Sequence, residues 1–212
     1  MVKQISNSNR LQVEYNKSIQ PAERFCEVVK HKLNNLISKQ FLTLAMPLKG
    51  RVKTWDSLSN KIDRKRLNLT SILELDDLVG LRAVFLFRRD LSKAVALVKQ
   101  EFNVITEEDT ESRLGEMEFG YRSIHLIIKA SEILLKDTPD KHLSQFKAEL
   151  QIRTMAQHIW ASVSHKLQYK YENSAPIPIR RSIHRVSAVL QLVDLELERV
   201  LQEKEEYLKS VD

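Results

Sequence analysis

The chain has 212 residues, 42% of them apolar and 29% charged, which suits one soluble globular domain with a sizeable core. Its apolar runs are too short to span a bilayer, the N-terminus MVKQISNSNR lacks the apolar core of a signal peptide, and the single cysteine, Cys26, permits neither an internal disulfide nor a cysteine zinc cluster. These features place the protein in a reducing cytoplasm, and a net charge of +6 suggests an anionic partner, nucleotide or nucleic acid.

Residues 8–46 favour helix: Leu11, Tyr15 and Ile19, then Phe25, Val29, Leu33 and Ile37, recur at helical spacing, and Pro21 is expected to open a second helix. Cys26 falls on that apolar pattern and reads as a buried small residue. Met46-Pro47 and Gly50 end the section. Residues 49–66, KGRVKTWDSLSNKIDRKR, carry seven Lys/Arg against two Asp, with a helix-cap signature at Asp56. Leu75–Phe87 ends in an unbroken β-prone run and reads as a central strand. Leu91–Phe102 is amphipathic and helical, and 107–118 is an acidic loop. Tyr121–Ala130 and Phe146–Arg153 read as strands, the second with Ala148, Leu150 and Ile152 on one face and Glu149, Gln151 and Arg153 on the other. Helix returns from Thr154 to about Tyr169, with Trp160 in the core. After the linker YENSAPIPI, Ile179, Ile183, Val186, Leu190, Val193 and Leu197 form a near-heptad seam that packs on its own domain or on a partner subunit. The expected architecture is one α+β domain: a mixed sheet of about five strands flanked by helices, with N-terminal helices (1–48), a core (49–172) and a C-terminal helix (176–210).

The chain has only four glycines, where average usage of ~7% would give about fifteen, and three of them open polar clusters: GRVK, GLR and GYRS. Lys53, Ser57 and Lys61 step by four and align on a helix; with Arg51 they make a phosphate-binding stripe or a solvated charged face. Asp77 lies a turn before one strand and Glu149 on the polar face of another. Brought together, the two carboxylates can bind Mg²⁺ or divide metal-ligand and general-base roles; alternatively each pairs with Arg82 or Arg153. Tyr121, Ser123 and His125 share a strand face that can stack a base and reach phosphate or ribose, or form an ordinary half-buried strand. The other histidines have no zinc spacing.

Taken in order, GRVKTWDSLSNK, LDDLVGLRAVF, GYRSIHLI and AELQIRTMAQHIWASVSHKLQYK resemble the synthetase domain of RelA/SpoT-type alarmone synthetases, particularly the small single-domain forms, from about Gly50 to Tyr171. The resemblance implies a nucleotidyltransferase-like fold. It also implies transfer of the β,γ-pyrophosphate of ATP to the ribose 3′-OH of GDP or GTP, with Mg²⁺ as cofactor and AMP as by-product. Arg51 and Arg82 would flank the adenine, and Lys53, Ser57 and Lys61 would hold the ATP phosphates. Asp77 and Glu149 would ligate the metal, with Glu149 also taking the 3′-OH proton. Tyr121 would stack on the acceptor base and His125 would lie near acceptor phosphate. Arg122, Gln151 and Arg153 would complete the acceptor side, the last two beside Glu149.

Long members of the family often carry asparagine just before the Gly-Tyr pair, where this chain has Phe119; many small members carry glutamate where this chain has Ser164. The first departure leaves the acceptor open. A toxin-like relative, acting on the tRNA 3′ end or on adenine nucleotides and held by an antitoxin, is the alternative, and a non-catalytic nucleotide- or RNA-binding relative is a third reading. The 49 residues ahead of Gly50 are too few for the hydrolase domain of long members, so synthesis without degradation is expected. The C-terminal seam makes a homo-oligomer a further expectation.

Overall fold

The computed structural model describes residues 2–109, 123–136, 141–168 and 176–211. Helix α1 (Val2–Lys39) turns Leu11, Tyr15, Phe25, Val29 and Leu33 onto one buried stripe, as their spacing requires. The expectation that Pro21 opens a second helix is not met: α1 runs straight through it. Proline lacks the N–H that would reach the Lys17 carbonyl and its ring crowds that carbonyl. Burial of Ala22, Phe25 and Cys26 immediately beyond offsets the loss. Phe25 packs on Phe146, centroids 5.9 Å apart, so α1 and the sheet share one core.

Strands β1 (Lys49–Val52), β2 (Val79–Phe85), β3 (Phe102–Asp109), β4 (Ile124–Ala130) and β5 (Ala148–Thr154) form a five-stranded sheet in the order β1-β2-β5-β4-β3. Only β2 and β5 pair in parallel, so the sheet is mixed, as expected. β2 is an interior strand, as read, paired on both sides, and β5 takes the middle place of the five. The apolar run of β2 reports burial on both faces, not position in the order; its second face is covered by α5 (Met155–Gln168), where Val84, Ala156 and Trp160 are all buried. Trp160 is a core residue, as read.

Two strands have no apolar run of their own. β1 alternates exposed and half-buried residues, and in β3 only Phe102 is fully buried. Their extended form comes from pairing with β2 and β4. The acidic stretch expected as a loop from residue 107 is therefore strand through Asp109; the rest of it lies outside the described residues.

Between β1 and β2 lie α2 (Trp55–Lys65) and a single 3-10 turn, Ile72–Glu74. Thr54, not Asp56, caps α2: its hydroxyl accepts from the Ser57 N–H at 3.4 Å, and Asp56 sits in the first turn, where the helix dipole favours an acid. Helix α3 (Arg89–Glu101) joins β2 to β3, and the short α4 (Glu132–Leu135) follows β4. Thr154 and Gln157 form a reciprocal capping box at the start of α5: the Thr154 N–H donates to Gln157 Oε1 at 2.7 Å, and the Gln157 N–H donates to Thr154 Oγ1 at 3.1 Å.

Helix α6 (Ile177–Val211) begins with Pro178 in its first turn, where a missing N–H is harmless. It packs on its own domain through Ile183, Ser187 and Asp194, and Arg89 clamps it by bonding Glu198 and, at 2.8 Å, Glu205. The predicted seam splits: Ile183 is buried, whereas Ile179, Val186, Val193 and Leu197 are exposed. Among the described residues no helix is long and apolar enough to cross a membrane.

Candidate active site

Directly paired residues in a sheet share a face. One row across this sheet reads Arg51, Gly80, Glu149 from β1 through β2 to β5; the next reads Lys49, Arg82, Gln151, His125 and, on β3, Glu108. Alternation thus gathers cations at the β1 end and puts Glu149 at the centre and Glu108 at the β3 edge, while Leu81, Leu150 and Ile152 lie on the other face, toward α1 and α3. A cleft of about 470 Å³ opens over the polar face, lined by Arg51, Lys53, Asp77, Arg82, Glu149 and Gln151 among others. Gly80 lies under it: a Cβ there would meet nothing within 4 Å, so this position leaves open space between Arg51 and Glu149. Gly50 serves packing instead, since a Cβ would come within 2.6 Å of Cys26 Sγ. Burial pushes the Cys26 thiol up to about 11, so it is inert as a nucleophile.

Asp77 leaves the segment before β2 and meets two lysines: Lys53, just after β1, and Lys61 on α2, whose Nζ is 2.7 Å from Oδ1. Burial by itself raises the Asp77 pKa; hydrogen bonds from Lys53 and Lys61 and their charges outweigh it and hold the carboxyl below its ordinary value. The expected stripe of three groups on one helix is thus not a helix stripe. Lys53 precedes the Thr54 cap; only Ser57 and Lys61 are on α2, and Asp77 is what draws the lysines together. Tyr15 supports this corner from α1: its hydroxyl donates to the Lys53 carbonyl at 3.2 Å and its ring lies 5.7 Å from Trp55.

Glu149 is held by a second set. His125 Nδ1 lies 2.9 Å from Oε1, Gln151 Nε2 lies 3.4 Å from Oε2, and Arg153 donates to the Gln151 side-chain Oε1. The hydrogen bond from His125 holds the Glu149 carboxyl below its ordinary pKa, against the opposing effects of burial and of the nearby Asp77 charge. The alternative in which each carboxylate pairs with Arg82 or Arg153 is therefore not what forms. Asp77 takes lysines and Glu149 takes a histidine and an amide, with Arg153 one step behind. His158, on α5, faces Arg82, Arg153 and Lys49; burial and these cations lower its pKa, keeping the ring neutral.

The structure thus brings Arg51, Lys53, Lys61, Asp77, Arg82, Glu149 and Gln151 around one cleft, with Ser57 on the same helix as Lys61 and with His125 and Arg153 behind Glu149. Tyr121 and Arg122, expected on the acceptor side, lie outside the described residues, as do Phe119 and Gly120. Sequence reasoning passed over Lys30 and Lys49, which line the cleft, and Tyr15, which supports it. Lys49 carried a signal as the first residue of the basic stretch. Tyr15 and Lys30 carried none, because their roles arise from where α1 lies against β1.

Residues 50–174 match the pattern of a family described as a region found in RelA / SpoT proteins. The chain belongs to the RelA/SpoT family. This RelA/SpoT chain is 31% identical over 159 residues to GTP pyrophosphokinase YjbM of Bacillus subtilis (strain 168), a match covering 74% of this chain and 72% of that protein. It superposes on the crystal structure of small alarmone synthetase 1 from Bacillus subtilis with a TM-score of 0.72 at 26% identity, over 91% of this chain and 98% of that one. The same synthetase bound to its product pppGpp superposes with a TM-score of 0.69 at 26% identity, over 89% of this chain and 97% of that one. The RelA/SpoT chain is a small synthetase of this type, with the same five-stranded mixed sheet, and its kinship is with pyrophosphokinases.

Proposed function

We propose that the protein transfers the β,γ-pyrophosphate of ATP to the ribose 3′-OH of GDP or GTP, giving (p)ppGpp and AMP. The observation that carries this reading is the convergence of two separately held carboxylates, Asp77 and Glu149, on a cleft whose β1 side is cationic. Pyrophosphoryl transfer asks for alignment and charge neutralisation rather than covalent help. Arg51 and Arg82 offer two planar guanidinium groups for the adenine, with open space over Gly80 between the rows. Lys53, Lys61 and Ser57 hold the phosphates.

The donor set fits Mg²⁺. Two carboxylates suit an ion that takes one or two from protein and the rest from phosphates and water. Among the described residues there is no cluster of three or more His, Cys, Asp or Glu that would favour a fully caged ion. Asp77 and Glu149 would hold it, and it would supply charge neutralisation for the phosphates being transferred. Glu149 takes the proton of the 3′-OH. The freed O3′ forms a bond to Pβ, the bond from Pβ to the α,β-bridging oxygen breaks, and AMP leaves with that oxygen. Because its pKa is depressed, Glu149 is ionised at neutral pH and ready to accept the proton.

The test offers γ-labelled ATP and Mg²⁺ with GDP, GTP, ATP or deacylated tRNA. Label on GDP or GTP supports this reading; label on tRNA or an adenine nucleotide replaces the acceptor while keeping the chemistry; no transfer to any acceptor leaves a nucleotide-binding protein. The apolar positions that α6 leaves exposed support self-association through that helix, which sedimentation equilibrium reads directly.

A further inference from the structure

We propose that Ser123 is a positioning residue for the transfer: its hydroxyl fixes the His125 ring, and the ring fixes the Glu149 carboxylate that takes the 3′-OH proton. The proposal rests on the reading of Glu149 as the general base. Ser123 stands one residue ahead of β4 and is buried, with Oγ 2.6 Å from His125 Nε2; the other ring nitrogen, Nδ1, is 2.9 Å from Glu149 Oε1. Both nitrogens are thus engaged inside the chain. This adds a positioning role to the contact with acceptor phosphate expected for His125.

The donor–acceptor order follows from the chemistry of the ends. An ionised carboxylate only accepts, so Nδ1 carries the proton that Glu149 receives as a hydrogen bond. In the neutral ring Nε2 is then the acceptor, and the Ser123 hydroxyl donates to it. Remove that hydroxyl and, among the described residues, Nε2 loses the group that fixes the ring's orientation about Cβ–Cγ, while Nδ1 is left to hold Glu149 alone. Glu149 is steadied on its other oxygen by Gln151, which Arg153 holds in turn, so the carboxylate is gripped from two directions. Glu108 lies opposite His125 on β3, on the same face of the sheet. Positioning of this kind acts on the reacting geometry: Glu149 must meet the 3′-OH proton while O3′ bonds to Pβ and the α,β-bridging oxygen leaves with AMP.

The test compares Ser123→Ala and Ser123→Thr in steady-state kinetics with ATP and the acceptor that the labelling experiment identifies. It adds ¹⁵N-histidine NMR of the unliganded protein. Ser123→Ala is expected to lower kcat roughly tenfold, the scale of losing an outer-shell orienting group, with both KM values within about twofold. Ser123→Thr restores most of the rate. In the wild-type spectrum His125 shows a single tautomer protonated at Nδ1 in one environment, and in Ser123→Ala its Nε2 resonance shifts and the ring signals broaden as the orientation is released. An unchanged kcat in Ser123→Ala, or a raised acceptor KM at constant kcat, overturns the proposal. So does a wild-type ring protonated at Nε2, a result that decides the matter even where a variant fails to fold. Retained turnover in Glu149→Gln would instead overturn the base assignment itself, so the two failures are distinguishable.

Discussion

Asp76 and Asp77 are adjacent in the sequence and serve different ends. Asp76 turns outward to Lys147, while Asp77 turns into the cleft between Lys53 and Lys61. Removing the base should separate chemistry from binding: Glu149→Gln is expected to lower transfer by roughly 10²–10⁴-fold while ATP binding, followed by calorimetry, is largely kept. Gly80 tests the cleft in the opposite sense. Gly80→Leu adds a side chain into space that is open in the protein, so thermal stability should hold while the KM for ATP rises by an order of magnitude or more. At this scale Asp77, Glu149 and Arg82 were legible as charged groups beside or within apolar strand runs, and Arg51 as part of the basic stretch 49–66. Ser123 was visible only as one hydroxyl on a strand face; its bond to His125 depends on the turn of the chain into β4. Tyr15 was hidden because an aromatic residue on an amphipathic stripe reads as core, which it also is.

Between elements, the closest fit is that of α1 on β1. Gly50→Ala drives a methyl group to within 2.6 Å of Cys26 Sγ, and Cys26 is buried in the core, so its sulfur turns aside only by displacing packed neighbours. Overpacking of this kind costs typically about 1–3 kcal/mol, read as a lower urea midpoint. The double variant Cys26→Ala/Gly50→Ala should recover most of it, and the coupling free energy of that cycle measures the contact. Helix α1 also supplies a case where local rules were overridden. Pro21 ought to end a helix, yet burial of Ala22 and Phe25 keeps α1 continuous, whereas β1 and β3 became strands without apolar runs because partners were there to pair with them. Propensity reports what a segment does alone, and these three segments are never alone.

For the molecule as a whole, ionisable groups pull stability in opposite directions with pH. Asp77, Glu149 and Glu198 all have depressed pKa values in the fold. The unfolded chain therefore binds more protons in acid, and their stabilisation, present above the ordinary carboxylate pKa of about 4, is lost as pH falls through the folded values. Asp194 runs the other way. Burial raises its pKa although Thr154 Oγ1 donates to it at 2.6 Å, so its contribution is present below about pH 4 and is lost as pH rises through the raised value. Asp194→Asn keeps an acceptor for Thr154 without a buried charge. It should raise the urea midpoint at pH 7, with the gain over wild type vanishing near pH 3; a gain of equal size at both pH values would rule out the buried charge as its cause.

The sequence by itself determined the family, through four polar motifs in order, and the class of fold, through the periods of its apolar residues. It also determined the carboxylates on which the chemistry is proposed to turn. Those are properties of residue type and spacing along one chain. Only the tertiary structure decided that β5 takes the middle place in the sheet, that Lys53 and Lys61 meet on Asp77 from two different elements, and that His125 bridges Glu149 and Ser123. Each of these is a choice of partner among groups far apart in sequence, set by which strands pair and which helix covers them, and no local pattern encodes it.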